Sequence, residues 1–152
     1  MGVGTERDPG AIVVGHDGHP GSEAALRTAV TLARRLAAHL HVAHVVTLED
    51  YGIDPDTDAF EESRDRNVGH ERERIAHALA GRSVDWTYHE RHGDPAGQLA
   101  RLADEVDAEL IVVGVSHRGV LRHVLTGGSV PKHLLEAQSR PVLVVPEPRR
   151  AR

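Results

Sequence analysis

The chain has 152 residues, 18 basic against 23 acidic, a formal charge of -5 and no cysteine. That length fits one domain, the acidic balance disfavours a nucleic-acid polyanion as partner, and the lack of cysteine excludes disulfides, thiolate nucleophiles and cysteine-based metal sites and fits a cytoplasmic protein. The opening MGVGTERDPG has no signal-peptide pattern and no apolar run approaches the roughly 20 residues of a membrane helix, so neither a membrane nor nucleic acid is expected as a partner.

Residues 1–10 read as a flexible arm. AIVVG, 11–15, is a continuous β-branched run that stops at HDGHPG, the pattern of a buried strand entering a loop. Ala25, Leu26, Ala29, Val30, Leu32, Ala33, Leu36 and Ala37 then recur at spacings of three and four, which lays one broad apolar stripe on a helix, with Ser22 as its expected cap. HLHVAHVV, centred on residues 41–46, is a second strand. Residues 49–65 carry eight acidic side chains and one basic, interrupted by Gly and Pro, and are expected to form a long surface loop. A polar helix follows from about Glu61 to Ala80, with Val68, Ile75, Ala76 and Leu79 as its thin apolar side and Gly81 as its stop.

In SVDWTYHE, Val84, Trp86 and Tyr88 alternate with polar residues, as in a strand at the edge of a sheet. Asp94 caps a helix with Pro95 in its first turn and Leu99, Leu102, Ala103 and Val106 along its stripe. LIVVGV, 110–115, is a fourth strand. The loop SHRGVLRHVLTGG leads to Ser129, which opens a last helix with Val130, Leu134 and Ala137 on its buried side and Pro131 in its first turn. PVLVVPEP closes the domain, 11–147, before a tail at 148–152. Strands alternating with helices define an open five-stranded parallel α/β sheet covered on both faces, Rossmann-like, and such sheets bind ligands beyond the carboxyl ends of their strands.

Asp17 therefore falls at the ligand-binding edge, where a carboxylate accepts hydrogen bonds from ribose hydroxyls or an amino group; the alternative is that it only braces its own turn. Gly127, Gly128 and Ser129 precede a helix and offer amides and a hydroxyl to an anion at the positive end of its dipole. No GxxxxGK[ST] is present, nor a strand–GxGxxG–helix unit. Of the twelve histidines, His41 and His44 are an odd number of residues apart and point to opposite strand faces, while His16 with His19 and His89 with His92 form loop-edge pairs without a third ligand. No metal site is expected. Ser116 and His117 are adjacent and poorly placed to act with Asp17 as a hydrolytic triad, so no catalytic residue is assigned.

AIVVGHDG with GSEAAL, then HVAHVV, GDPAGQLARLADEVDAELIVVGV and GGSVPKHLLEAQSRPVLVVPE resemble, in order, segments of the universal stress protein family. The resemblance implies strand order 3-2-1-4-5 and, for the nucleotide-binding branch, ATP or AMP, with or without Mg2+, held without appreciable hydrolysis. It implies Asp17 as the acid that contacts the nucleoside, Val45 as the adenine-side backbone position, and a loop of the form glycine, two residues, glycine, nine residues, glycine, then serine or threonine. Anchored on Gly128 and Ser129, with Val130 following, that pattern places Val115 and Arg118 where the first two glycines belong, with Ser116 and His117 between them and Gly114 and Gly119 one position outside. Arg118 either fills the phosphate space or pairs with the phosphate, and Arg122 and His123 add positive charge nearby. The resemblance also implies a homodimer through the terminal strand, 141–145. Two functions stay open: an adenine-nucleotide-binding stress-response protein, and a nucleotide-free homodimeric module that docks regulatory protein partners.

Overall fold

A computed structural model describes residues 9–46, 58–115, 130–137 and 140–149, and the side chains of these except 58–68, Pro131 and Ala137. The greater part of the expected arm, the stretch 47–57 of the acidic segment, the loop 116–129 and the last three residues lie outside the described residues.

Five parallel strands form one sheet in the order β3-β2-β1-β4-β5: β1 is Ala11–Gly15, β2 His39–Val46, β3 Trp86–His92, β4 Ala108–Val115 and β5 Val142–Pro146. Helices α1 (Pro20–Leu36), α2 (Asp58–Leu79), α3 (Pro95–Glu105) and α4 (Val130–Ala137) make the crossovers. Period-two alternation divides the core in two. Ile12 and Val14 of β1, Leu40 and Val42 of β2 and Val112 of β4 pack with Ala25, Leu26, Ala29, Val30 and Ala33 of α1 and Ile75 and Leu79 of α2. Val13, Ala43, Ile111 and Val113 face the other way, against Leu99, Leu102 and Ala103 of α3 and Leu134 of α4. Each of the largest side chains removed from water in this way stabilises the fold by about 1.5–3 kcal/mol. The edge position expected for β3 is observed, with Val84, Trp86 and Tyr88 packed against the α1 side of the core.

Three expectations are corrected. Ser22 does not cap α1: the helix starts at Pro20, its N-cap is His19 without a side-chain cap bond, and the Ser22 hydroxyl instead donates to the His19 carbonyl and accepts from the Asp17 amide. Proline at the first helical position explains the earlier start, because its fixed φ suits the first turn and its missing N–H would have no intrahelical partner there. Leu36 is not buried but 57% exposed, since α1 ends beside it and Ala37 turns into the left-handed region. The helix expected from about Glu61 begins at Asp58, inside the stretch expected as loop; acidic sequence is compatible with a helix start because the dipole favours negative charge there. The Asp94 cap holds, its carboxylate accepting from the Gly97 amide at 2.8 Å.

One backbone contact fixes α1 on the sheet. A β-carbon at Gly114 would stand 2.0 Å from the Gly21 carbonyl oxygen and 2.7 Å from the Ser22 amide nitrogen, so the first turn of α1 lies on β4 where only glycine leaves room. Gly114→Ala must displace that turn and is expected to destabilise the protein by about 3 kcal/mol, at the upper end of overpacking costs. Urea unfolding of wild type and variant measures this loss, and a change within the error of the midpoint would mean that the helix shifts at no cost.

Candidate functional site

The parallel strands all end on one edge, and the connections leave β1 toward β2 and β3 on one side while β4 and β5 lie on the other. The ladders pair Gly15 with Ala43 and Val14 with Val112, and the His16 amide continues the first by donating to the Ala43 carbonyl at 2.9 Å. Asp17 lies two residues beyond β1, Val45 is the penultimate residue of β2 and Val115 the last of β4, so all three fall at the same edge. The edge between β1 and β4 is the switch point at which open α/β sheets form a crevice.

Asp17 is exposed, with its Oδ1 accepting from the His19 amide at 2.9 Å and lying 3.2 Å from the His19 ring. The carboxylate therefore does brace its own turn, yet it faces solvent with further lone pairs to offer. Burial of the surrounding turn pushes its pKa up, but the His19 amide, the Ser22 hydroxyl and the His19 ring outweigh that effect and hold it below the ordinary 3.8. It is an anion at neutral pH. Gly18 follows at φ +81°, a conformation open to glycine, and turns the chain into α1.

Val45 is half-buried against the α3 side of the core, as is Val130 at the start of α4. Val115 is a regular strand residue: it pairs with Pro146, and its carbonyl accepts from the Glu147 amide at 2.9 Å. A β-branched residue suits that extended backbone, so the need for glycine at the end of β4 falls on Gly114. Ser116, His117, Arg118, Gly119, Gly128 and Ser129 lie outside the described residues, with Arg122, His123 and Gly127.

Behind Asp17 is a group of charges that the sequence reading did not assemble. The His16 side chain is only 1% exposed and is no loop-edge histidine; its Nδ1 contacts the Glu71 carboxylate of α2, and its Nε2 lies 3.3 Å from Glu23 Oε1 of α1. His44 Nδ1 approaches the same Glu71 oxygen at 3.6 Å. Arg74 lies 3.3 Å from Glu23 and 3.9 Å from Glu71. Burial works against ionisation of Glu71, but the contacts with His16 and His44 prevail and lower its pKa from 4.5 to about 2. The pattern held a signal for both buried groups: Glu71 precedes Ile75 and Leu79 by four and eight residues, on their helical face, and His16 continues the inward side of Ile12 and Val14.

His41 and His44 do point to opposite faces. On the α3 side, His41 Nδ1 is 2.9 Å from His89 Nε2 and the His39 ring lies beside it, with His39 bonded to Thr87 at 2.8 Å. Burial, reinforced by His39 and His89, lowers the His41 pKa from 6.5 to about 4. Burial and Arg91 also lower that of His89, against the opposing pull of Glu105. Among the described residues no three His, Cys, Asp or Glu side chains are grouped to hold a metal ion, and no helix is long and apolar enough to cross a membrane.

Sheet order, crossovers and edge define a Rossmann-like α/β domain. The sequence matches the universal stress protein family over residues 10–146, and the chain belongs to that family. A universal stress protein from Burkholderia pseudomallei is 28% identical, with 90% of this chain and 95% of that one aligned and a TM-score of 0.62. A universal stress protein in complex with cAMP is 26% identical over 92% of this chain and 98% of its own, with a TM-score of 0.63. UspA from Lactobacillus plantarum shares the fold at 20% identity, with coverage of 90% and 97% and a TM-score of 0.71. A search of curated protein sequences finds no match.

Folding lowers the pKa of both His41 and Glu71, so the unfolded chain binds more protons than the native one and stability falls with pH. The loss runs from about pH 6.5 to 4 as His41 is charged, and from about pH 4.5 to 2 as Glu71 is neutralised. The His41 step is the smaller because that ring is half exposed to solvent. Urea midpoints measured across this range are expected to show a smaller upper step in His41→Gln, where His89 still contributes, and a smaller lower one in Glu71→Gln, where Asp17 still contributes. Unaltered slopes in both variants would assign the acid sensitivity to other groups.

Proposed function

We propose that this protein binds an adenine nucleotide, ATP or AMP, at the carboxyl edge of the sheet without appreciable hydrolysis. The observation that carries the reading is the ionised, exposed carboxylate of Asp17, two residues beyond β1 at the switch point, with Val45 and Val115 at the ends of β2 and β4 on the same edge. The cAMP complex of a relative 26% identical supports it. Asp17 accepts from the nucleoside, and the backbone at Val45 lines the base. The loop after β4, with Ser116, His117, Arg118, Gly128 and Ser129 leading to Val130, meets ribose and phosphates. With the glycine of the strand end at Gly114, the second glycine position of the family loop falls on His117, the third on Gly127 and the serine or threonine position on Gly128, one residue before Ser129. In that register Arg118 is free to act as a phosphate partner, and Mg2+ is a co-ligand only of the triphosphate.

Calorimetric titration with AMP and ATP tests the reading; no heat up to millimolar nucleotide would overturn it. Asp17→Asn is expected to weaken AMP and ATP alike, by about tenfold to a hundredfold, the worth of a charge-assisted hydrogen bond, with the folded fraction kept.

A second reading, a homodimeric module with regulatory protein partners, is favoured by β5. This is an edge strand on which Leu143 and Val144 are 37% and 41% exposed, and an unpaired apolar edge is satisfied when two copies pair across a two-fold axis. Sedimentation at micromolar concentration is expected to give twice the chain mass for wild type and the single mass for Val144→Lys. A monomeric wild type would reject the dimer.

A further inference from the structure

The two strand ends that the nucleotide reading uses are held by one carboxylate. His16 ends β1 immediately before Asp17, and His44 stands in β2 immediately before Val45. Both imidazoles turn to the α1 and α2 side, and both meet Glu71 Oε1, His16 in direct contact and His44 at 3.6 Å. The same pair lies near the loop: a β-carbon at Gly18 would stand 3.5 Å from Glu71 Oε2 and 3.4 Å from Arg74 Nη1. Among the described residues, the charged and titratable groups that face Glu71 are His16 just after β1, His44 on β2, and Arg74 on its own helix, with Glu23 of α1 beyond His16 and Arg74.

Burying this carboxylate is not the cheapest way to dock α2. Position 71 continues the Ile75 and Leu79 stripe, where an apolar side chain would pack without the desolvation cost that a buried ion pair bears. A carboxylate supplies what a methyl group does not: directional acceptors that two imidazoles on neighbouring strands must share. Because successive strand residues point to opposite sides, gripping His16 and His44 from behind fixes the backbone at the next residue of each strand.

We propose that Glu71 is the positioning residue of this edge, clamping the ends of β1 and β2 through His16 and His44 so that Asp17 and the backbone of Val45 meet a nucleoside at a fixed separation. The inference rests on the nucleotide reading for its ligand, and on the described geometry for the clamp. It acts on the nucleoside and not on the phosphates.

The test compares Glu71→Leu, Glu71→Gln and wild type in three measurements: thermal unfolding, binding of adenosine and ATP, and hydrogen exchange at the His16 amide, which is bonded to Ala43. Glu71→Leu completes the apolar stripe but leaves the buried His16 ring without its carboxylate, so it is expected to melt below wild type and, measured where it is still folded, to lose affinity for adenosine and ATP by the same factor, roughly tenfold, the worth of one misaligned hydrogen bond. Glu71→Gln keeps an acceptor for one imidazole and falls between. A residue that only holds the fold together would leave the affinity of the folded fraction unchanged. Glu71→Leu that is folded at the assay temperature and binds adenosine like wild type overturns the proposal. Should that variant not fold, His44→Gln removes one grip outside the core: a loss of adenosine affinity with stability kept supports the clamp, and unchanged affinity overturns it. Should wild type bind neither ligand, the nucleotide reading fails by itself, and the clamp is decided by exchange: faster at the His16 amide in the Glu71 variants upholds it, unchanged exchange rejects it.

Discussion

The approach of α1 to β4 at Gly114 constrains the rest of this molecule. A helix backbone that stands within van der Waals reach of a strand backbone has no freedom to slide, because the contact contains no side chain to repack. It seats the first turn of α1 on a strand that is not the one preceding it. The chain between β1 and α1 must therefore cross from one strand to the next within His16–His19. That short crossing places Asp17 over the gap between β1 and β4, and it needs Gly18 in the left-handed region to close.

The two faces of the sheet treat histidine in opposite ways. On the α1 and α2 face, His16 and His44 meet acids from two helices, and the ionic character of that group is written in the depressed pKa of Glu71. On the α3 face, His39, His41 and His89 meet one another, and repulsion together with partial burial keeps His41 neutral. The difference comes from what each helix brings to the strand: α2 supplies Glu71 and Arg74, whereas the nearest acid beside β3 on the α3 side, Glu105, is already engaged by Arg91. Away from the candidate edge, Arg140 ties the chain before β5 to Asp104 and Asp107 and to the Ala108 carbonyl, which holds the last strand beside β4. Among the described residues, β5 is the outer strand on that side of the sheet, with Leu143 and Val144 partly exposed.

The strands, the crossover helices and the edge position of β3 were legible in the residues because apolar periodicity and proline and glycine punctuation act within a few residues of one another, whereas the strand order came from the family resemblance. Asp17 was legible for the same reason, as the acid that follows a wholly apolar strand. The Ser22 cap was misplaced because Pro20 is compatible with the helix two residues earlier, and the start of α2 was misplaced because acidic residues serve a helix N-terminus as well as a loop. Glu71 was hidden by its chemistry. A carboxylate on an otherwise polar helix reads as solvated until the opposite wall is known, even though its spacing from Ile75 and Leu79 is that of a buried position.

The sequence by itself thus determined the class of sheet, the alternation of sides along each strand, and which residues end the strands at the carboxyl edge, all consequences of local periodicity and of the single hand of parallel crossovers. Only the tertiary structure decided which residue at the end of β4 must be glycine, that His16 and His44 share one carboxylate, and that Val115 stays in regular strand geometry. Each of these depends on the distance between segments far apart in the chain, such as the 55 residues between His16 and Glu71, and such distances are set by packing of whole elements that no local pattern encodes.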